Sequence, residues 1–156
     1  LDASQGANIG DASSDVPWPW LDFLEMDHGA IDRDHREAIA EGNKFLAVLE
    51  ARSSWSELVA ILHQSRARSA RHFATEDAIL AASLYPGAAA HRKEHERILA
   101  EIDLILAELD AVATPQEKDW QRATAPRVLL VDHCLKSDLL FKSHVMTHAS
   151  SGPRED

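Results

Sequence analysis

The sequence predicts an all-α protein, an antiparallel up-and-down four-helix bundle with an extended N-terminal arm. Three observations carry this. Apolar residues recur at spacings of three and four in four separate stretches, the period of one helix face. Most links between those stretches are short, so consecutive helices turn back on one another. No Val/Ile/Thr-rich alternating run competes for a strand.

Residues 1–17 are rich in Gly, Ser, Ala and Asp with little to bury, and read as a flexible arm or linker. "PWPWLDFLEMDHGAI" then sets Trp18 and Trp20 among prolines. Proline blocks an early helix while the aromatics want cover, so an extended segment packed across the body is expected. From Ile31 the period turns helical. Ile31, His35, Ala38, Ile39, Gly42, Leu46 and Leu49 form one face of a helix ending near Ala51.

In "SSWSELVAIL", Ser54 and Glu57 have capping-box spacing and open a second helix through Leu58, Leu62, His72, Phe73, Glu76 and Ile79. Pro86 and Gly87 stop it. The third helix starts near Ala88 and carries His91, His95, Ile98, Ile102, Ile105 and Leu109. "ATPQEKDWQRATAP" is a longer connection, in which Thr114 and Pro115 offer the start of a short helical turn. After Pro126 a fourth helix runs through Val128, Leu129, His133, Leu135, Leu139 and Phe141. The bundle is thus expected over residues 18–148, with a frayed tail at 149–156.

The 156 residues suit one domain. A net charge of −10 argues against a nucleic-acid partner, which calls for a basic face. No apolar run reaches the eighteen residues that a membrane span needs. A single cysteine, Cys134, excludes an internal disulfide framework and a cysteine-rich zinc site, and reads as a small buried residue. The chain begins at Leu1, which points to processing, trimming or excision from something longer. No signal-peptide pattern is present, and a cytoplasmic location is expected.

Nine histidines against one tyrosine is the unusual feature. On a helix, positions i and i+4 differ by about 40° of rotation and about 6 Å of rise, so both side chains lean the same way. His91 and His95 share the face of Ile98, Ile102 and Ile105; His72 and Glu76 repeat the spacing on the second helix. His35 lies on the first stripe. His133 and Asp138 are five apart, about 140° on an ideal helix. Either they straddle the centre or a local widening of the helix brings them together.

One core histidine is ordinarily satisfied by hydrogen bonds. Five imidazoles and two carboxylates buried without a cation would cost several kcal/mol for each uncompensated group. Metal ions remove that cost and account for the residue types together. Seven N/O donors with no thiolate exceed the need of one tetrahedral zinc. They suit two ions sharing carboxylates, and imidazole with carboxylate suits iron.

His35, "HFATE" at 72–76, "YPGAAAHRKEH" at 85–95 and "HCLKSD" at 133–138 resemble, in order and spacing, the hemerythrins, in particular bacterial hemerythrin-like domains. "AIDRDHREAIAEGNKF", with Asp34 before the histidine and Asn43 eight after it, is similar to that family's first-helix signature. The resemblance covers about residues 18–145. It implies one iron held by His91, His95 and His133, and a second by His35 and His72. Glu76 and Asp138 would bridge the two ions with an oxo or hydroxo group, and O2 would bind reversibly at the open position of the second iron. Phe73 and Leu135 match apolar residues of the family's O2 pocket. Leu129 stands where several members carry tryptophan, and Ala38 where a larger aliphatic is common, so a roomier pocket is expected.

The donor set itself favours O2 binding over oxygenation. Di-iron carboxylate enzymes take two Glu-x-x-His pairs from a bundle, and the only such spacing here is Glu25 to His28, before the first helix. Five neutral imidazoles and two carboxylates donate less charge than a carboxylate-rich site and stabilise high-valent iron poorly. O2 storage, delivery or sensing leads. The polar N-terminal stretch leans toward sensing, as the remnant of a link to a signalling domain. Peroxide or nitric-oxide turnover, and iron handling, are the alternatives. Of the remaining histidines, His63 is expected to face outward, His144 and His148 to form a solvated pair where the last helix frays, and His28 to serve the arm.

Overall fold

Every regular element among the described residues is helical. The computed structural model of the chain describes residues 25, 29–138, 140–142 and 144. Helix α1 spans Gly29–Ala51, α2 Trp55–Ala82, α3 Ala88–Asp110, α4 Glu117–Arg122 and α5 Ala125–His133. A π turn, Cys134–Asp138, continues α5, and residues 140–142 and 144 are again helical. Packing of α1 on α2, α2 on α3 and α3 on α5 makes a helical bundle. No helix is long and apolar enough to cross a membrane. The expected arm, with Trp18 and Trp20, and the tail lie outside the described residues.

Two apolar clusters flank the buried histidines. The larger joins Phe45 and Val48 of α1, Leu58, Ile61 and Leu62 of α2, and Ile98, Ile102, Ile105 and Leu109 of α3. Each such side chain, fully buried, stabilises the fold by about 1.5–3 kcal/mol. The smaller holds Ile31, Leu80 and Phe141. Phe73 of the larger stacks on His95 at 3.8 Å, and Phe141 meets His91 edge-on at 5.1 Å. The polar layer is therefore clamped by apolar packing from both sides.

The α3 stripe is buried as its spacing predicts. On α1 the burial differs. Phe45 and Val48 fill the core, whereas Ala38 is exposed and Ile39 and Gly42 are half-buried, because they border a cavity rather than packed side chains. Along α2, Leu80 takes the core position expected of Ile79. The last helix departs most. Val128 is 62% exposed and Leu135 45%, while Phe141 is fully buried. Val128 precedes the π turn and lies off the face of α5 that buries Pro126 and His133. From Cys134 onward the π turn inserts one residue into the helical phase, so a stripe counted at constant α period drifts off the core.

Local signals account for the boundaries. Ser54 caps α2, its Oγ accepting the Glu57 N–H at 3.2 Å. The reciprocal half of the expected capping box is replaced by a 3.7 Å ion pair from Glu57 to Lys44. Beyond Ala82, Leu84 takes φ 54° and the Tyr85 N–H donates to the Leu80 carbonyl at 3.1 Å, a left-handed helix end. A Cβ on Gly87 would lie 2.6 Å from the Tyr85 ring, so any other residue there would push that ring aside.

The long connection contains α4, which begins at Glu117 rather than at Pro115. Asp119 accepts the Gln116 N–H at 2.8 Å and caps it. Trp120 is buried and meets Trp55 edge-on at 5.1 Å. Arg52 lies 5.0 Å above the Trp120 ring and donates to both Glu117 oxygens at 2.9 and 2.8 Å. This connection is a lid over the end of the large cluster.

Candidate metal centre

Five helical segments deliver the seven donors. α1 carries His35, α2 carries His72 and Glu76, α3 carries His91 and His95, α5 ends on His133, and the π turn ends on Asp138. All seven are buried, Glu76 completely. On α2 and α3 the i, i+4 spacing aims both residues inward. Between His133 and Asp138 the π turn does the same work: its i→i+5 bonding stacks residues five apart. His133 Nε2 accordingly lies 3.1 Å from an Asp138 oxygen.

The donors fall into two groups. Potential ligand atoms of Glu76, His91, His95, His133 and Asp138 all lie within 4.8 Å of one another, and so do those of His35, His72, Glu76 and Asp138. Glu76 and Asp138 belong to both. Glu76 oxygens stand 3.3 Å from His72 Nε2, 3.6 Å from His91 Nε2 and 3.3 Å from His95 Nε2. His91 Nε2 is 3.8 Å from Asp138.

These contacts do not satisfy the groups that make them. Both oxygens of Glu76 and of Asp138, His72 Nε2 and His91 Nε2 are buried without a hydrogen-bond partner among the described residues. Each such group costs about 1–3 kcal/mol if left so, and more if charged. His95 and His133 approach Nε2 to Nε2 at 2.9 Å. Lone pairs facing one another around two shared carboxylates are a cation-binding arrangement, and the set fits two adjacent ions.

Carboxylates stand behind the ring. Asp77 accepts from His95 Nδ1 at 3.1 Å, which leaves the Nε2 lone pair facing the centre. Asp34 stands 3.5 Å from His72 Nδ1, near it but without a hydrogen bond to it. Sequence reasoning noted Asp34 only as a signature and passed over Asp77; the signal for both was an acid directly beside a donor in the chain.

Electrostatics at the centre favour charge. Burial pushes the Glu76 carboxyl up, but the His72, His91 and His95 rings facing its oxygens outweigh it and hold it well below 4.5. Burial pushes His72 down, and the neighbouring Glu76 carboxylate reverses that, leaving it above 6.5. Burial holds the Cys134 thiol well above its ordinary value, so it stays protonated and outside the donor set.

A cavity of about 420 Å³ lies between α1, α2 and α5 and reaches His35 and His72. Phe73, Leu135 and Ala38 line it, as does Cys134. Leu129 is not among the lining residues and packs against the large apolar cluster. At its edge Arg68 donates to Glu41 at 2.9 and 3.1 Å; burial nonetheless raises the Glu41 carboxyl.

The outlying histidines differ among themselves. His63 is exposed and pairs with Asp110 at 3.0 Å. His144 is not solvated: it is half-buried, its Nε2 donates to the Ser83 carbonyl at 2.9 Å, and its ring meets Tyr85 at 5.1 Å. That partner lies on the far side of a helix end and was invisible to spacing. His28 and His148 lie outside the described residues.

The family profile of the hemerythrin HHE cation-binding domain matches residues 26–145. No curated protein matches the chain.

Proposed function

Because the chain belongs to the hemerythrin HHE cation-binding family, we propose that its seven clustered donors hold two iron ions and that the pair binds O2 reversibly. His91, His95 and His133 serve one ion, His35 and His72 the other, and Glu76 and Asp138 bridge them with an oxo or hydroxo group. The helices run antiparallel, up and down, to bring these residues together. The observation that carries this reading is the sharing of Glu76 and Asp138 between two donor groups of unequal size.

The group with fewer protein donors, at His35 and His72, is the one that meets the cavity. This supports a free position on the ion held there, where a small molecule can arrive. An iron pair held by these donors would supply the two electrons that O2 takes up on binding and would regain them on release. The chain's own residues set the conditions. Asp77 fixes the His95 ring, and Asp34 places a negative charge beside His72. Phe73, flat against His95, and Leu135 present apolar surface that excludes water. Storage, delivery and sensing all use this chemistry.

Turnover of peroxide or nitric oxide at the same pair is a second reading, favoured by a cavity of about 420 Å³ where O2 alone needs far less. One experiment separates the two. Iron is counted per chain, and the visible spectrum is taken anaerobically after reduction and again on admitting O2. Two irons with charge-transfer bands that appear with O2 and vanish on its removal support reversible binding. Two irons that oxidise at once, with turnover of added peroxide or nitric oxide, support the second reading. Absence of iron from protein expressed in iron-rich medium sinks both.

A further inference from the structure

The cavity beside His35 and His72 is much larger than a diatomic gas requires. Its volume is about 420 Å³, whereas an apolar cavity of about 150 Å³ accommodates benzene. Two small residues one turn apart on α1, Ala38 and Gly42, make the room. A Cβ built on Gly42 meets nothing within 4 Å. Glycine weakens a helix interior relative to alanine, and here neither a positive φ nor a close approach requires it. Its one structural effect is to leave the space in front of it open.

The walls specify what fits. Phe45, Ile61, Leu62, Phe73, Leu130 and Val131 make them largely apolar. Of the polar groups in the lining, Arg68 is held by Glu41 at 2.9 and 3.1 Å, and the Ser69 hydroxyl donates to the Ser65 carbonyl at 2.9 Å. A charged ligand seated on the apolar walls would have to break those pairs or lose its hydration there, which is costly, unless it is an anion that reaches a cation at His35 and His72. An uncharged one gains the apolar contact directly.

We propose that this cavity binds an uncharged, largely apolar organic molecule of one or two fused rings, seated between α1, α2 and α5 beside His72 and Phe73. The proposal needs only the walls, so it holds whichever cation the neighbouring donors carry.

Calorimetric titration of the metal-loaded protein with 2-naphthol and, separately, with the cation 2-naphthyltrimethylammonium, which cannot ligate a metal, tests it. Expected is saturable binding of one 2-naphthol per chain, tighter than the cation by about tenfold or more. Gly42→Leu fills the open space and weakens 2-naphthol by about tenfold or more, with metal content unchanged and no fall in Tm, since leucine suits a helix better. Ala38→Leu adds the same bulk one turn away and carries the test if the first variant folds poorly. No saturable binding, the cation bound as tightly as naphthol, or undiminished binding in both variants overturns the proposal. Metal content read on the same samples keeps a failure of the iron reading separate from a failure of this one.

Discussion

His133 Nε2 and an Asp138 oxygen lie 3.1 Å apart although five residues separate them, and the π turn between them closes that distance. Asp138, like Glu76, stands in both donor groups. Replacing either by alanine is therefore expected to lower bound iron from two per chain to one or none and to abolish the O2-dependent spectrum. His144→Ala, whose ring nitrogen is occupied by the Ser83 carbonyl, leaves iron content unchanged. Metal analysis of the three purified variants checks this, and two irons retained by the Glu76 or Asp138 variant would remove that residue from the centre.

The pH dependence of the metal-free protein follows from the same cluster. Glu76 is depressed below 4.5 in the fold, so its contribution to stability is present above that value and lost as pH falls through the depressed one. His72 is raised above 6.5, so its contribution is complete below that value and lost as pH rises through the raised one. Metal-free protein should thus be most stable between about 4.5 and about 6.5 and weaken on the alkaline side. Urea midpoints at about pH 5.5 and about pH 8 measure it. A higher midpoint at the alkaline pH contradicts the assignment. Bound metal replaces the His72 proton and should shift the optimum upward.

Leu84 occupies a left-handed backbone position at φ 54° with its side chain 85% exposed. A branched residue there is strained, and no burial compensates. Leu84→Gly should stabilise the fold by about 0.5–1 kcal/mol, the relief of strain being partly offset by glycine's greater freedom when unfolded. A denaturant midpoint that falls would contradict it.

Trp120→Ala empties the lid over the large cluster and strips the ring from beneath Arg52. The expected loss is about 3–5 kcal/mol. Because α4 touches none of the seven donors, the folded fraction should keep its full iron content. Unfolding curves and metal analysis on one preparation read both.

Much of this was legible in the sequence. The α3 stripe and the i, i+4 pairs on α2 and α3 follow from helical periodicity, because a side chain's direction is set by local geometry; the full donor set, Asp138 included, was what the family resemblance implied. What escaped depends on contacts between segments distant in the chain. Trp120 gains its role only when α4 folds across Trp55, and His144 only when it meets the α2 end. The phase of the last helix escaped for a different reason. Constant α spacing cannot anticipate a π turn, although the five-residue step from His133 to Asp138 was itself the sign that either a turn or a straddled geometry was present.

That turn changes how such sites should be searched for. Five residues on a π turn and four on a regular helix deliver a pair to the same face. A pattern requiring a fixed interval between the last histidine and its acid would reject chains whose centres superimpose. The interval that matters is measured in helical turns, and a single residue deleted between 133 and 138 leaves it unchanged when the backbone tightens from the π to the α step.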